Sequence, residues 1–389
     1  MEAKSPEHLT KGKKLLFTIL LLAFSILLTE MGLQVCYRVT TGQWLWQWWA
    51  MPIYESDDFR VYRVKSKLDY LHKTSEYTAR YYTNAQGFRT GREQNAISVQ
   101  KPLNTYRIMY LGPSFTFGWG VDYEQAYAYL ISKGLHVPNK RIEDINVGTP
   151  AQPINYQLAW LKKQGYQYDP DLIVQTIYSD CCMNITMDGT LPEDVAYVKA
   201  GYLYTPPPQN MRQATHRIIR RYRRYSAILY FGWRLYVALA SGEETSGTGD
   251  ELYEKPSIPD GCSPALILKD YRSYHQFVKS TLNKEIPIVF IYVPLAYVVR
   301  PADIIRVKHQ GNHKKPLMER ARTKKVQQLL NRNGIHFLDL TESLVQADRK
   351  TRMYNLYDIH FTTAGNQVAT DTATPIIQKV IDSSFIGEK

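Results

Sequence analysis

Cysteine is scarce in this chain, with four residues in 389, and none of the four stands in a Cys-x-x-Cys spacing. That argues against zinc and dithiol redox frameworks, and neither a metal nor a cofactor is expected. Acidic side chains are also in short supply: 36 Asp and Glu against 48 Lys and Arg leave a formal net charge of +12. A basic balance of this size invites a nucleic-acid partner. No recognition motif accompanies the basic stretches, so nucleic acid is not expected among the partners. Long apolar runs are limited to one, Leu15 to Val35, and no small-residue cleavage site of the Ala-x-Ala kind follows it.

The length of that run, about 20 residues at ~1.5 Å rise, matches a hydrocarbon core of about 30 Å. Lys11, Lys13 and Lys14 precede it, whereas only Arg38 follows closely. This asymmetry places the N-terminus in the cytoplasm. A cleaved signal peptide would carry a shorter apolar region and a small-residue site. The reading is therefore an uncleaved, single-pass inner-membrane anchor, with a cytoplasmic tail at 1–14, a span at 15–36 and the remainder periplasmic or extracellular. Glu30 falls in the outer third of the span, where a carboxyl needs headgroup water or a membrane partner. Trp44, Trp46, Trp48 and Trp49 read as an interfacial belt. Beyond the span, the cysteines meet an oxidising compartment, where one of Cys181 and Cys182 could bridge Cys262.

Residues 37–100 read as an extended lead-in, with Val61 to Lys65 alternating as a half-buried strand does. From Tyr106 onward the pattern is strand, loop, helix, repeated. Strands are expected at Ile108–Leu111, Asp144–Val147, Leu172–Tyr178, Ile286–Val293 and Ile335–Leu340. Helices are expected at Glu124–Leu135, Ile154–Gln164, Val326–Arg332 and Ala364–Ile381. Buried strands alternating with helices imply a parallel sheet covered on both faces. At about 188–261 the pattern breaks into an insertion, with a long Arg-rich helix after Pro206-Pro207-Pro208 and a flexible loop at Ser241–Asp250. Two basic clusters, the Arg-rich helix and Lys308 to Lys325, could face anionic headgroups or an anionic glycan. The 30 tyrosines would suit a carbohydrate-facing surface as well as compositional habit.

Within this frame, the strand Ile108–Leu111 stops at Gly112-Pro113 and presents Ser114, ahead of the glycine-spaced Phe117-Gly118-Trp119-Gly120. A serine at the carboxyl end of an α/β strand is where such folds place a nucleophile. Asp358 and His360, two residues apart, supply an acid and a base for it. The plainer readings are that Ser114 caps the next helix and that Asp358 and His360 are turn residues. His216, His275, His309 and His336 lack a partnered setting in the sequence.

These blocks resemble the SGNH/GDSL hydrolase superfamily, and specifically its membrane-anchored, envelope-facing members. Gly112-Pro113-Ser114-Phe115-Thr116 matches the Gly-Asp-Ser-Phe-Thr-like turn. Asn146-Val147-Gly148 matches the second block, Pro170-Asp171-Leu172 leads the third, and Asp358/His360 the last. Asn84-Ala85-Gln86-Gly87-Phe88-Arg89 is similar to the lead-in of the anchored subgroup. The resemblance covers roughly 80–382. It implies a three-layer, flavodoxin-like α/β fold with a central parallel sheet at 101–389, preceded by one transmembrane helix. It also implies Ser114, Asp358 and His360 as catalytic residues, with Ser114, Gly148 and the third-block position as oxyanion donors. That third position carries Asp180 where the family has Asn, and a carboxylate only accepts hydrogen bonds; Asn184 is a nearby substitute. The implied activity is ester hydrolysis or O-acyl (acetyl) transfer on an envelope or extracellular polysaccharide. The partners expected are an acylated glycan or other ester, the membrane, and for a transferase a membrane acyltransferase. The alternatives are an inactive scaffold that binds glycan or a membrane partner, which Asp180 favours, and a lipid-surface lipase or thioesterase.

Overall fold

The computed structural model describes residues 10–41, 44–45, 51–74, 76–178, 181, 183, 189–191, 196–204, 211, 218, 222, 225–240, 263–301, 315–355 and 358–386. Asp180, Cys182, Asn184, Cys262, most of the Arg-rich stretch, the 241–250 loop and Lys308 to Lys314 lie outside the described residues. The chain divides into two units, Met1–Ala50 with Pro207–Gly242, and Met51–Pro206 with Glu243–Lys389.

The larger unit opens with β1 (Tyr54–Asp57) paired antiparallel to β2 (Val61–Val64). Then β3 (Asp69–Lys73), β4 (Thr78–Thr83) and β5 (Arg89–Thr90) join a central sheet. Its other members are β6 (Thr105–Leu111), β7 (Arg141–Asn146), β8 (Leu172–Tyr178), β11 (Ile288–Val293) and β12 (His336–Asp339). A short antiparallel hairpin, β9 (Tyr197–Lys199) and β10 (Tyr202–Tyr204), stands apart from it. The sheet runs β12-β11-β8-β6-β7-β5-β4-β3, with the first five strands parallel. In order of appearance those five stand 2-1-3-4-5, the flavodoxin-like arrangement. Strands β3 to β5, from the lead-in, extend this sheet antiparallel.

All seven residues of β6 are buried, since successive side chains feed two cores. Ile108 and Tyr110 enter a cluster with α3 (Tyr127–Gly134), α8 (Thr341–Asp348) and α9 (Thr363–Ile386). Met109 and Leu111 face α4 (Ile154–Lys163), α6 (Pro264–Leu282) and α7 (Lys315–Arg332). This is the three-layer α/β architecture the strand runs imply. Two details differ from the sequence reading. The helix expected from Glu124 begins at Tyr127, because Ala126 is extended, with φ −75° and ψ 135°, behind a short 3₁₀ turn. Helix α6 lies where no helix is expected. Within the second basic cluster, Arg320 donates to the Val298 and Val299 carbonyls and so holds the fold.

In the smaller unit, α1 (Lys11–Thr41) is long and apolar enough to cross a membrane, its most apolar 18-residue stretch having a mean hydropathy of 2.2. Glu30 has its partner within the chain. Its carboxylate accepts from the Ala227 N–H at 2.6 Å, the Ile228 N–H at 3.0 Å and the Ser226 hydroxyl at 2.9 Å. These donors open α5 (Ala227–Ala240), whose first N–H groups have no partners inside the helix.

Candidate active site

β6 ends at the point where strand order reverses between β7 and β8, which is where open α/β sheets leave a crevice at their carboxyl edge. Gly112 makes the turn out of β6 possible. A Cβ there would overlap Thr116 Oγ1 and stand 2.8 Å from Thr176 Cβ. The chain then enters α2 (Ser114–Phe117), a single turn that Gly118 ends in the left-handed conformation at φ 80°. Thr116 is fixed beneath it, its hydroxyl 2.9 Å from Tyr127 Oη, which lies 2.6 Å from Thr176 Oγ1. Ser114 sits in the first helical position after Pro113, half-buried.

The second loop is clamped to this turn. Asn146 donates through Nδ2 to the Thr116 carbonyl at 2.7 Å, and its Oδ1 accepts the Gly148 N–H at 3.0 Å. Thr149 N–H closes onto the Gly112 carbonyl at 3.0 Å. Gly148 thus lies beside α2 with its N–H engaged by Asn146. Asp180 and Asn184, the candidates for a third oxyanion donor, lie outside the described residues.

From the other end of the chain, the loop before α9 delivers His360 and Asp358. His360 Nε2 is 2.5 Å from Ser114 Oγ, and its Nδ1 meets Asp358 Oδ1. The histidine is buried and packs against the rings of Phe115 and Trp119, at 5.0 and 5.3 Å between centroids. Asn355 ties the loop by donating its backbone N–H to the His360 carbonyl at 2.9 Å. The three residues singled out in the sequence thus form one hydrogen-bonded chain.

Other members of the site have no sequence signature. Tyr77 Oη donates to Asp358 Oδ2 at 2.6 Å, and Trp119 Nε1 donates to the same oxygen at 3.0 Å. Glu76 accepts the Asp358 backbone N–H at 2.9 Å. Burial alone would raise the Asp358 pKa. The His360 charge and hydrogen bond, with those from Tyr77 and Trp119, outweigh it and hold the carboxyl well below the usual range. Arg89, from the lead-in motif, is buried and donates to four carbonyls, among them that of Val121 in the loop after α2. Burial lowers its pKa to about 10. The only hints in the sequence are that Trp119 falls inside the singled-out segment and Arg89 inside the lead-in motif.

Behind Trp119 and Tyr77 stands His72, buried, with its Nδ1 2.9 Å from Tyr81 Oη. That oxygen already accepts the Gly120 N–H, so the Tyr81 hydroxyl donates to Nδ1 and fixes the Nε2–H tautomer. Burial pushes the His72 pKa from 6.5 down to about 4. The unfolded chain therefore binds the proton more readily, and stability falls as pH drops from about 6.5 toward 4. By pH 4.5 this group should account for about 2–3 kcal/mol of lost stability. His72→Gln, which can still accept from Tyr81, should flatten the fall of the urea midpoint between pH 7 and 4.5. Parallel curves for the two proteins would refute this.

No protein-family model matches the sequence, and no curated protein matches it either. Solved structures do resemble it. One is an α/β hydrolase from the metagenome of Lake Arreo, Spain, 12% identical, covering 70% of this chain and 94% of its own, with a TM-score of 0.36. Another is a lipolytic protein of the G-D-S-L family from Veillonella parvula, 11% identical, covering 69% and 97%, at 0.35. A third is a catalytic mutant of an acetylxylan esterase from Geobacillus stearothermophilus, 10% identical, covering 70% and 94%, at 0.35. The solved structures this chain resembles thus include esterases and a G-D-S-L lipolytic protein, and function at such identities rests on the site's own geometry.

Proposed function

We propose that the chain is a serine ester hydrolase of the SGNH type, held at the membrane by α1 with its N-terminus in the cytoplasm. One observation carries the reading: Ser114 Oγ lies 2.5 Å from His360 Nε2, while His360 Nδ1 faces Asp358. In this reading Ser114 attacks an ester carbonyl as His360 takes its proton. Asp358 holds the imidazole tautomer and stabilises the imidazolium. The Ser114 N–H, in the first turn of α2, is offered to the nascent oxyanion, and the Gly148 N–H can join it only by sharing or leaving Asn146. His360 then protonates the departing alcohol. The acyl-enzyme passes its acyl group to water, or to a sugar hydroxyl in a transferase. The substrate class follows from the family resemblance: ester-linked acyl groups, acetyl foremost, on an envelope or extracellular polysaccharide.

A serine-directed fluorophosphonate should label the purified protein at Ser114 and stop turnover of a small acetyl ester in proportion to labelling. Turnover that survives complete labelling, or a label on another serine, would overturn the assignment. Falling rates from acetyl to longer acyl esters mark a deacetylase, and the reverse trend a lipase.

A further inference from the structure

Strand β3 buries one side chain, His72, and a histidine is a costly choice for that place. Burial holds its imidazole uncharged at neutral pH, and a phenylalanine of similar shape would pack there without burying a polar ring. What the imidazole adds is an acceptor. Its Nδ1 takes the Tyr81 hydroxyl at 2.9 Å, and that oxygen takes the Gly120 N–H at 2.9 Å. We propose that His72 is a positioning residue of the triad, holding Tyr77 and Trp119 in place on the Asp358 carboxylate. This rests on the reading of Ser114, His360 and Asp358 as that triad.

The β3–β4 register sets His72 opposite Ala79 and diagonal to Tyr81. Ala79 is small and buried, so the imidazole and the phenol can meet on that face. Tyr81 is a fixed post. It is buried, edge-on to Phe117 of α2 at 5.2 Å between centroids, with the Arg89 guanidinium 5.2 Å over its ring. The hydrogen-bonded chain from His72 through Tyr81 therefore ends on the backbone directly after Trp119. The imidazole ring also stands edge-on to both donors, 5.1 Å from Tyr77 at 82° and 5.2 Å from Trp119 at 75°. Contacts of this geometry favour one ring orientation over others. On their far side, Tyr77 Oη and Trp119 Nε1 converge on Asp358 Oδ2, and the Trp119 ring lies 5.3 Å from that of His360. His72 thus acts on Asp358 through these two rings. Loosening them lets the carboxylate turn, and with it the imidazole whose Nε2 must face Ser114.

The test uses the full-length protein and 4-nitrophenyl acetate. His72→Ala, which loses both ring and acceptor, should lower kcat about tenfold while KM stays within about twofold. His72→Gln keeps only an acceptor and His72→Phe only a ring, so each should recover part of the loss. The proton between His360 Nδ1 and Asp358 has its own far-downfield NMR resonance, which should shift or broaden in His72→Ala. A double-mutant cycle separates positioning from general packing. With Tyr77→Phe and Trp119→Phe already present, His72→Ala should cost less than about twofold in kcat, because the parts it holds are gone. An equal loss in both backgrounds, an unmoved resonance, or a wild-type kcat in His72→Ala would each overturn the proposal. Should His72→Ala fail to fold, His72→Gln and His72→Phe carry the same cycle. Full activity in Ser114→Ala would bring down the triad reading and the proposal together. An additive cycle beside an inactive Ser114→Ala would overturn the proposal alone.

Discussion

Ser114→Ala and His360→Ala should each lower the turnover of an acetyl ester by about 10⁴-fold or more, and the double variant should be no slower than either. The equality is the informative part. His360 Nε2 faces Ser114 Oγ at 2.5 Å, so without the serine the base has no proton to take. Without the imidazole, the hydroxyl stays protonated and weakly nucleophilic at neutral pH. Additive losses would mean that the two act separately, and that their contact is a structural hydrogen bond. Neither change should unfold the protein. Ser114 is half-buried at the surface of a one-turn helix, and the histidine loop is tied independently by Asn355 and by the pairing of Tyr354 with Phe361. Thermal midpoints close to wild type would check that.

The parts of this site legible in the sequence are those whose chemistry is written locally. A strand that stops at Gly112 and offers Ser114, or an acid two residues before a base, is a pattern within a few positions. The five parallel strands were legible for the same reason, as short apolar runs separated by helical stretches. Tyr77 and Trp119 are different. They meet Asp358 across 281 and 239 residues of chain, and nothing in the spacing of an isolated tyrosine says which carboxylate it will reach. Strands β3 to β5 were hidden by composition. β4 has only one covered face, and Thr and Tyr stand on both faces of it, so Thr78 to Thr83 shows only a weak alternation of polarity. Helix α6 went unread although Ile267, Tyr271, Tyr274 and Val278 recur at helical spacing and Ser263 and Pro264 at its start are ordinary opening signals.

Asp358→Asn should cost about 10⁴-fold in turnover with the fold intact, and the two unforeseen donors supply the reason. An amide at this position has one oxygen to accept and one nitrogen to donate. Tyr77 Oη and Trp119 Nε1 both donate to Oδ2 in the wild type, at 2.6 and 3.0 Å. They therefore turn the oxygen of the asparagine toward themselves and its NH₂ toward His360 Nδ1. The imidazole must then accept at Nδ1 and carry its proton on Nε2, facing Ser114. In that tautomer it cannot take the serine proton. Adding Tyr77→Phe and Trp119→Phe to Asp358→Asn frees the amide to flip, and should recover part of the lost rate. The same two changes on the wild-type background should slow it, by removing donors that stabilise the carboxylate. A gain in one background and a loss in the other is a sign reversal that general damage to the fold would not produce. If the triple variant is slower than Asp358→Asn alone, Tyr77 and Trp119 serve packing, and the tautomer is set elsewhere.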